Sequence, residues 1–155
     1  MIQTLDPIRR SVVVDLDPQG AFDLFTTNMT RWWPADHHIG AAPIEDIIIE
    51  PREGGRWYTR HTDGSETSTG HVRVWDPPSR LVLIWSIGAD WTYDPTLITA
   101  VELRFTAESP DRTRVSLEHR DLDAYGPAAE KMHQTFDAPG AWDATLAAYA
   151  AAAAS

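Results

Sequence analysis

From Ile8 to Leu16 the chain reads IRRSVVVDL, enriched in β-branched residues, and this predicts a first strand. Asp17-Pro18 follows, with a side chain able to cap a helix and a proline suited to its first turn. Ala21, Phe22, Leu24 and Phe25 then recur at helical spacing. Asn28 is read as the cap of a second short helix that carries Trp32 and Trp33 and stops at Pro34. Ala35 to Pro43 reads as a loop. From Ile44 onward the period changes from helical to two, the mark of strands. The predicted strands are Ile44–Glu50, Arg56–His61, Glu66–Asp76, Leu81–Ile87, Leu97–Glu108 and one carrying Val115, Leu117 and His119. Between them lie a Gly54-Gly55 turn, an Asp63-Gly64 hairpin signal and Pro77-Pro78, neither of which donates to a ladder. After Asp121 the period is helical again, with a break near Pro139-Gly140, and Trp142, Leu146 and Tyr149 form one stripe.

The predicted order is strand, two short helices, about six antiparallel strands and a long C-terminal helix, an α+β arrangement. A curved antiparallel sheet with one apolar face needs a cover, and the last helix supplies it. Room for a cavity is left between the two.

At 155 residues the chain is expected to form a single domain over 1–155. Its net charge of −10, with Lys131 the only lysine, argues against nucleic-acid binding. Without cysteine it has neither disulfides nor thiolate metal sites. The start, Met1 to Arg10, lacks the apolar core of a secretory signal, and the alanine-rich tail from Ala144 to Ala154 is too short to span a bilayer. No membrane association is expected, and the location is read as cytoplasmic.

Seven tryptophans stand out in this composition. An indole buries a large apolar area yet keeps an N–H that needs a partner, so such rings either fill a core or line a ligand cavity. Strand phase turns Leu83, Trp85 and Phe105 inward, and Trp57 after the glycine turn joins them. Trp33, Trp91 and Tyr93 fall outside the strands and suit a cavity mouth, with Trp32 beside them. His119 shares phase with Val115 and Leu117, so its imidazole faces the interior and needs a partner. It reads first as a satisfied core histidine, and otherwise as a polar ligand contact or a base. Asp36, His37 and His38 lack metal-ligand spacing and a third ligand, and no metal or cofactor is expected. Glu102 with Arg104, and Glu118 with Arg120, are expected as exposed cross-strand ion pairs.

Trp32-Trp33-Pro34 with His38, Glu50-Pro51-Arg52-Glu53-Gly54-Gly55-Arg56-Trp57-Tyr58, Gly70-His71-Val72, Trp75-Asp76-Pro77-Pro78-Ser79-Arg80-Leu81 followed by Trp85, Val101 to Phe105, Glu118-His119-Arg120 and Gly140-Ala141-Trp142 recur in this order. Together they resemble the helix-grip (START- or Bet v 1-like) superfamily. More narrowly they resemble bacterial single-domain proteins named after the Hsp90 ATPase activator homology domain, also called SRPBCC proteins. Thr69 stands where that pattern has an aromatic, Ala100 where it has a glutamate, and Ala141 interrupts a Gly-Trp pair. The resemblance implies a curved sheet gripping a long C-terminal helix and an apolar or aromatic ligand held between them. Trp33, His38, Trp57, Leu83, Trp85, Trp91, Tyr93, Phe105 and His119 are the candidate ligand contacts. Two rival functions are a cyclase- or hydrolase-type enzyme using His119 or His38 as base, and a chaperone-associated or stress-response interaction module. A homodimer is compatible with the sequence, though no exposed apolar strip calls for one.

Overall fold

A computed structural model describes residues 5–154; the reading of Met1 to Arg10 as no secretory signal falls partly outside them. Strands β1 (Ile8–Val14), β2 (Ile44–Ile49), β3 (Arg56–His61), β4 (Glu66–Asp76), β5 (Arg80–Trp85), β6 (Thr99–Ser109) and β7 (Arg112–Arg120) form one antiparallel sheet. Its order is β1-β7-β6-β5-β4-β3-β2. From β2 to β7 each strand pairs with the next in sequence, and β1 closes on the last. The sheet is curved and helices cover its inner face, the helix-grip architecture that the element order implied.

Helix α1 (Pro18–Phe25) starts as the dipeptide foretold, with the Asp17 carboxylate accepting the Gly20 N–H at 2.8 Å. The second short helix is a single 3-10 turn, Met29–Arg31, and Trp32 and Trp33 follow it rather than lie within it. Asn28 does not cap it; its amide turns back to the Asp23 carbonyl. The chain leaves the turn at Trp32 because that indole N–H reaches back to the Leu24 carbonyl at 2.7 Å.

The expected long C-terminal helix is two pieces, α2 (Ala129–Asp137) and α3 (Ala144–Ala153), with a 3-10 segment, Leu122–Ala128, before them. Between α2 and α3 the backbone leaves helical values at Ala138 and Ala141. Arg10 on β1 clamps this break, donating to Asp137 Oδ1 at 2.7 Å on one side and to Asp143 Oδ1 at 2.8 Å on the other. Trp142, Leu146 and Tyr149 are buried as the stripe predicted.

One end of the inner face is packed solid. Phe22 and Phe105 lie 5.2 Å apart, Phe25 meets Trp32 at 5.0 Å and Tyr149 at 5.4 Å, and Trp75 meets Phe22 edge-on at 5.0 Å. The Tyr149 hydroxyl donates to the Ala21 carbonyl at 2.7 Å, so even the polar tip is satisfied.

The outer face departs from expectation at Glu102, which is not an exposed partner of one arginine but is buried. Its carboxylate receives Arg80 from β5, Arg104 from its own strand and Arg120 from β7, at 3.0, 2.6 and 2.8 Å. A central strand places a short acid within reach of long arginines from three strands, and their stems cover it. Burial pushes the Glu102 carboxyl up; hydrogen bonds from the Arg80 and Arg120 guanidiniums more than reverse this and hold it below its ordinary value.

Candidate functional site

The other end of the inner face encloses space, and the sequence places its walls through three neighbouring strands. Trp57 on β3 and Trp85 on β5 both sit beside Gly70 on β4. A Cβ at Gly70 would fall 1.6 Å from the Ile84 carbonyl oxygen, so only glycine permits this approach of β4 to β5. The bare position leaves the two indoles side by side, centroids 5.8 Å apart. Trp142, carried inward by the break between α2 and α3, lies 6.3 Å from Trp85, and Trp33, after the 3-10 turn, lies 6.3 Å from Trp142 and 6.2 Å from Trp57. The four indoles thus form a closed cycle of edge contacts, with Phe136 on α2 adding a further wall at 5.9 Å from Trp85.

These rings line a cavity of about 530 Å³, within the roughly 300–1,000 Å³ range of small-molecule sites. Asp36 and Trp91 line it while exposed to solvent, and they mark its mouth. Trp91 holds a backbone φ of 61°, rare for a bulky residue, and is 47% exposed.

The polar part of the wall comes from β3, β4 and the loop before β2. Thr59 and Thr67 face each other across β3 and β4, and Thr69 lies next along β4. Thr67 donates to His61 Nε2 at 2.8 Å, and His61 Nδ1–H donates to the Ala42 carbonyl at 2.9 Å. His38 stacks obliquely on His61 with centroids 5.6 Å apart. His37 meets the Thr145 hydroxyl of α3 at 3.3 Å, tying the loop to the helix. Among the described residues no three His, Cys, Asp or Glu side chains converge on a point that could hold a metal.

His119 is fully buried behind the tryptophan cycle. The Trp142 indole N–H donates to its Nδ1 at 3.2 Å, which puts the ring hydrogen on Nε2. Nε2–H then donates to Thr99 Oγ1 at 3.0 Å, and the Thr99 hydroxyl donates to the Trp85 carbonyl at 2.9 Å. Burial lowers the imidazole pKa to about 3, so the ring is neutral and both its nitrogens are engaged. The Trp85 indole N–H is buried with no hydrogen-bond partner among the described residues; beside it the Tyr125 hydroxyl donates to the Ile87 carbonyl at 2.6 Å.

Of the nine candidate contacts, Trp33, His38, Trp57, Trp85 and Trp91 come together around the cavity. Leu83, Phe105 and His119 do not line it; they lie buried in the packed interior. Tyr93 is 40% exposed on its loop and away from the lining. Trp32, expected near the mouth, is buried core, because its N–H is taken by Leu24 and its ring by Phe25 and Tyr149. The sequence reading missed Thr59, Thr67, Thr69, His37 and Thr145, and it gave Trp142 to packing alone. A two-residue period counted from Trp57 places Thr59 on the same face, so that signal was present.

A family model described as Activator of Hsp90 ATPase homolog 1-like protein matches residues 15–151. The chain belongs to this family. Solved structures share its architecture, two of them over almost the full length. The anthrahydroquino-γ-pyrone synthase Txn09 is 33% identical, with 97% of this chain and 98% of that one aligned at a TM-score of 0.66. The self-sacrificing resistance protein CalC from Micromonospora echinospora is 26% identical, with coverages of 96% and 94% and a TM-score of 0.73. An Hsp90 activator from Plasmodium falciparum, 16% identical over 76% and 74% with a TM-score of 0.54, shares the fold. No curated protein matches the sequence significantly. The family architecture here leaves a cavity walled by aromatic side chains between sheet and C-terminal helices. No helix among the described residues is long and apolar enough to cross a membrane.

Proposed function

We propose that this protein binds a planar, polycyclic aromatic small molecule in the cavity ringed by Trp33, Trp57, Trp85 and Trp142. The observation that carries this reading is that these four indoles, in edge contact with one another, together wall about 530 Å³ of open space. Four edge-packed indoles present flat apolar faces and edges at fixed angles, and fused aromatic rings complement such walls by stacking. A 33% identical relative named as a synthase of a fused aromatic pyrone supports the same ligand class. The reading treats 1–155 as one ligand-binding unit acting in the cytoplasm. Titration with three- and four-ring arenes raises Tm and quenches tryptophan fluorescence saturably. A broad arene panel that does neither overturns the reading.

A second reading, ring-forming catalysis on such a molecule, is favoured by one observation beyond that relative. His38 lines the cavity with an imidazole nitrogen that has no hydrogen-bond partner among the described residues. Turnover of an aromatic polyketide-like substrate, lost in His38→Ala, supports it; binding without turnover leaves the first reading alone.

A further inference from the structure

The histidines around the cavity are not equivalent, and their hydrogen bonds sort them. His119 has both nitrogens engaged by Trp142 and Thr99. His61 likewise has both engaged, by Ala42 and Thr67. At His37 the Thr145 hydroxyl already donates to the Ala141 carbonyl, so Nδ1 carries the hydrogen toward Thr145, and Nε2 is left facing the anionic, solvent-exposed Asp36 carboxylate at 3.9 Å, beyond hydrogen-bond reach. His38 differs. Its Nδ1 lies 3.3 Å from the Ile39 carbonyl, which only accepts, so Nδ1 carries the hydrogen. The neutral ring then offers Nε2 as a lone pair with no partner among the described residues, and the His61 ring backs it at 5.6 Å. The hydroxyls of Thr59 and Thr69 in the lining also have no hydrogen-bond partner among the described residues, and each is able to donate to a carbonyl.

Resting on the binding reading above, we propose that His38 Nε2 accepts a hydrogen bond from an aromatic hydroxyl of the ligand, so that the cavity selects hydroxylated polycyclic aromatic ketones over the same ring systems with the hydroxyl masked. The aromatic walls take the rings, His38 takes the hydroxyl, and Thr59 or Thr69 takes a carbonyl.

The test compares 2-hydroxyanthraquinone with 2-methoxyanthraquinone by isothermal titration calorimetry. They share rings and carbonyls, and neither substituent reaches a carbonyl of its own molecule. The hydroxy compound binds about tenfold more tightly, the value of one well-made hydrogen bond, and His38→Ala removes the difference while keeping the affinity for the methoxy compound. In ¹⁵N spectra of the wild-type histidines, the unprotonated His38 Nε2 resonance moves with the hydroxy compound and stays with the methoxy compound. That second measurement decides the matter if His38→Ala does not fold. Equal binding of the two compounds, or a preference that survives His38→Ala, overturns the role of His38 and leaves the cavity reading standing. Binding of neither compound overturns both.

Discussion

Two aromatic clusters share the inner face of this sheet and differ in one respect. Around Phe22, Phe25, Phe105, Trp32 and Tyr149 the rings touch at 5.0–6.2 Å and close on themselves. Around Trp33, Trp57, Trp85 and Trp142 the rings touch at 5.8–6.3 Å and line a cavity. Ring chemistry and contact geometry are nearly the same, so neither decides between core and cavity. Backbone placement does. Helices α1 and α3 press directly on the first cluster. Over the second, the helical cover breaks at Ala138–Ala141 and the sheet is bare at Gly70. Trp32 and Trp33, adjacent in sequence and 5.8 Å apart, fall on opposite sides of the divide.

The sharpest way to break this comparison is to remove a ring from the packed side. Phe22→Ala costs about 3–5 kcal/mol by denaturant unfolding, the usual range for a large core deletion, and leaves arene affinity in the folded fraction unchanged. If affinity falls with stability, the clusters are one unit and the division fails.

His119 sits at the boundary, and His119→Leu strands the Trp142 N–H, at a cost of about 2–3 kcal/mol. It also changes the pH dependence. The His119 pKa is lowered in the fold to about 3 from 6.5. Between these values the unfolded chain takes up the proton and the fold does not. Stability is therefore fully present above about pH 6.5 and falls on acidification towards pH 3, by up to about 1.4 kcal/mol per unit. Urea melts across this window show that slope in the wild type and a flatter one in the variant; parallel slopes would contradict the assignment.

Glu102→Gln touches neither cluster. It leaves three arginines without their shared carboxylate and costs about 1–2 kcal/mol, less than a fully buried pair because the arginines are partly solvated. The lowered Glu102 pKa gives stability that is present above its ordinary 4.5 and lost as pH falls through the folded value, so the wild type alone loses this contribution below about pH 4.5. Ligand affinity is unchanged in this variant.

The smallest effect is expected from Arg10→Ala, which frees the clamp across the α2–α3 break. It lowers Tm by a few degrees, and it weakens arene binding several-fold because Trp142 rides on that break. A Tm drop with unchanged affinity would mean the break is held by packing alone.

Much of this arrangement was legible in the sequence, because period and punctuation are local. Asp17-Pro18 started its helix, Asp63-Gly64 turned its hairpin, β3 and β4 had the bounds expected, and the phase of His119 put it inside. What was not legible depends on contacts between distant segments. The burial of Glu102 requires arginines from β5 and β7, and alternation along β6 alone calls it exposed. The split of the C-terminal helix was signalled by Pro139-Gly140, but the contacts of Arg10 that span it come from β1, far upstream. His119 has its hydrogen bonds satisfied by Trp142 and Thr99, partners 23 and 20 residues away, and no strand period reveals them. Thr59 was in phase with Trp57, but Thr59, Thr67 and Thr69 carry no sequence mark that separates them from ordinary strand residues.

The central claim is that four of the seven tryptophans hold a ligand and that Trp32 and Trp75 do not. The indole N–H spectrum of ¹⁵N-tryptophan-labelled protein reports each ring separately, and titration with 2-hydroxyanthraquinone reads them together. The account predicts large shifts for Trp33, Trp57, Trp85 and Trp142, with Trp32 and Trp75 still. Shifts centred on Trp32 and Trp75, or none at saturating ligand, would contradict it.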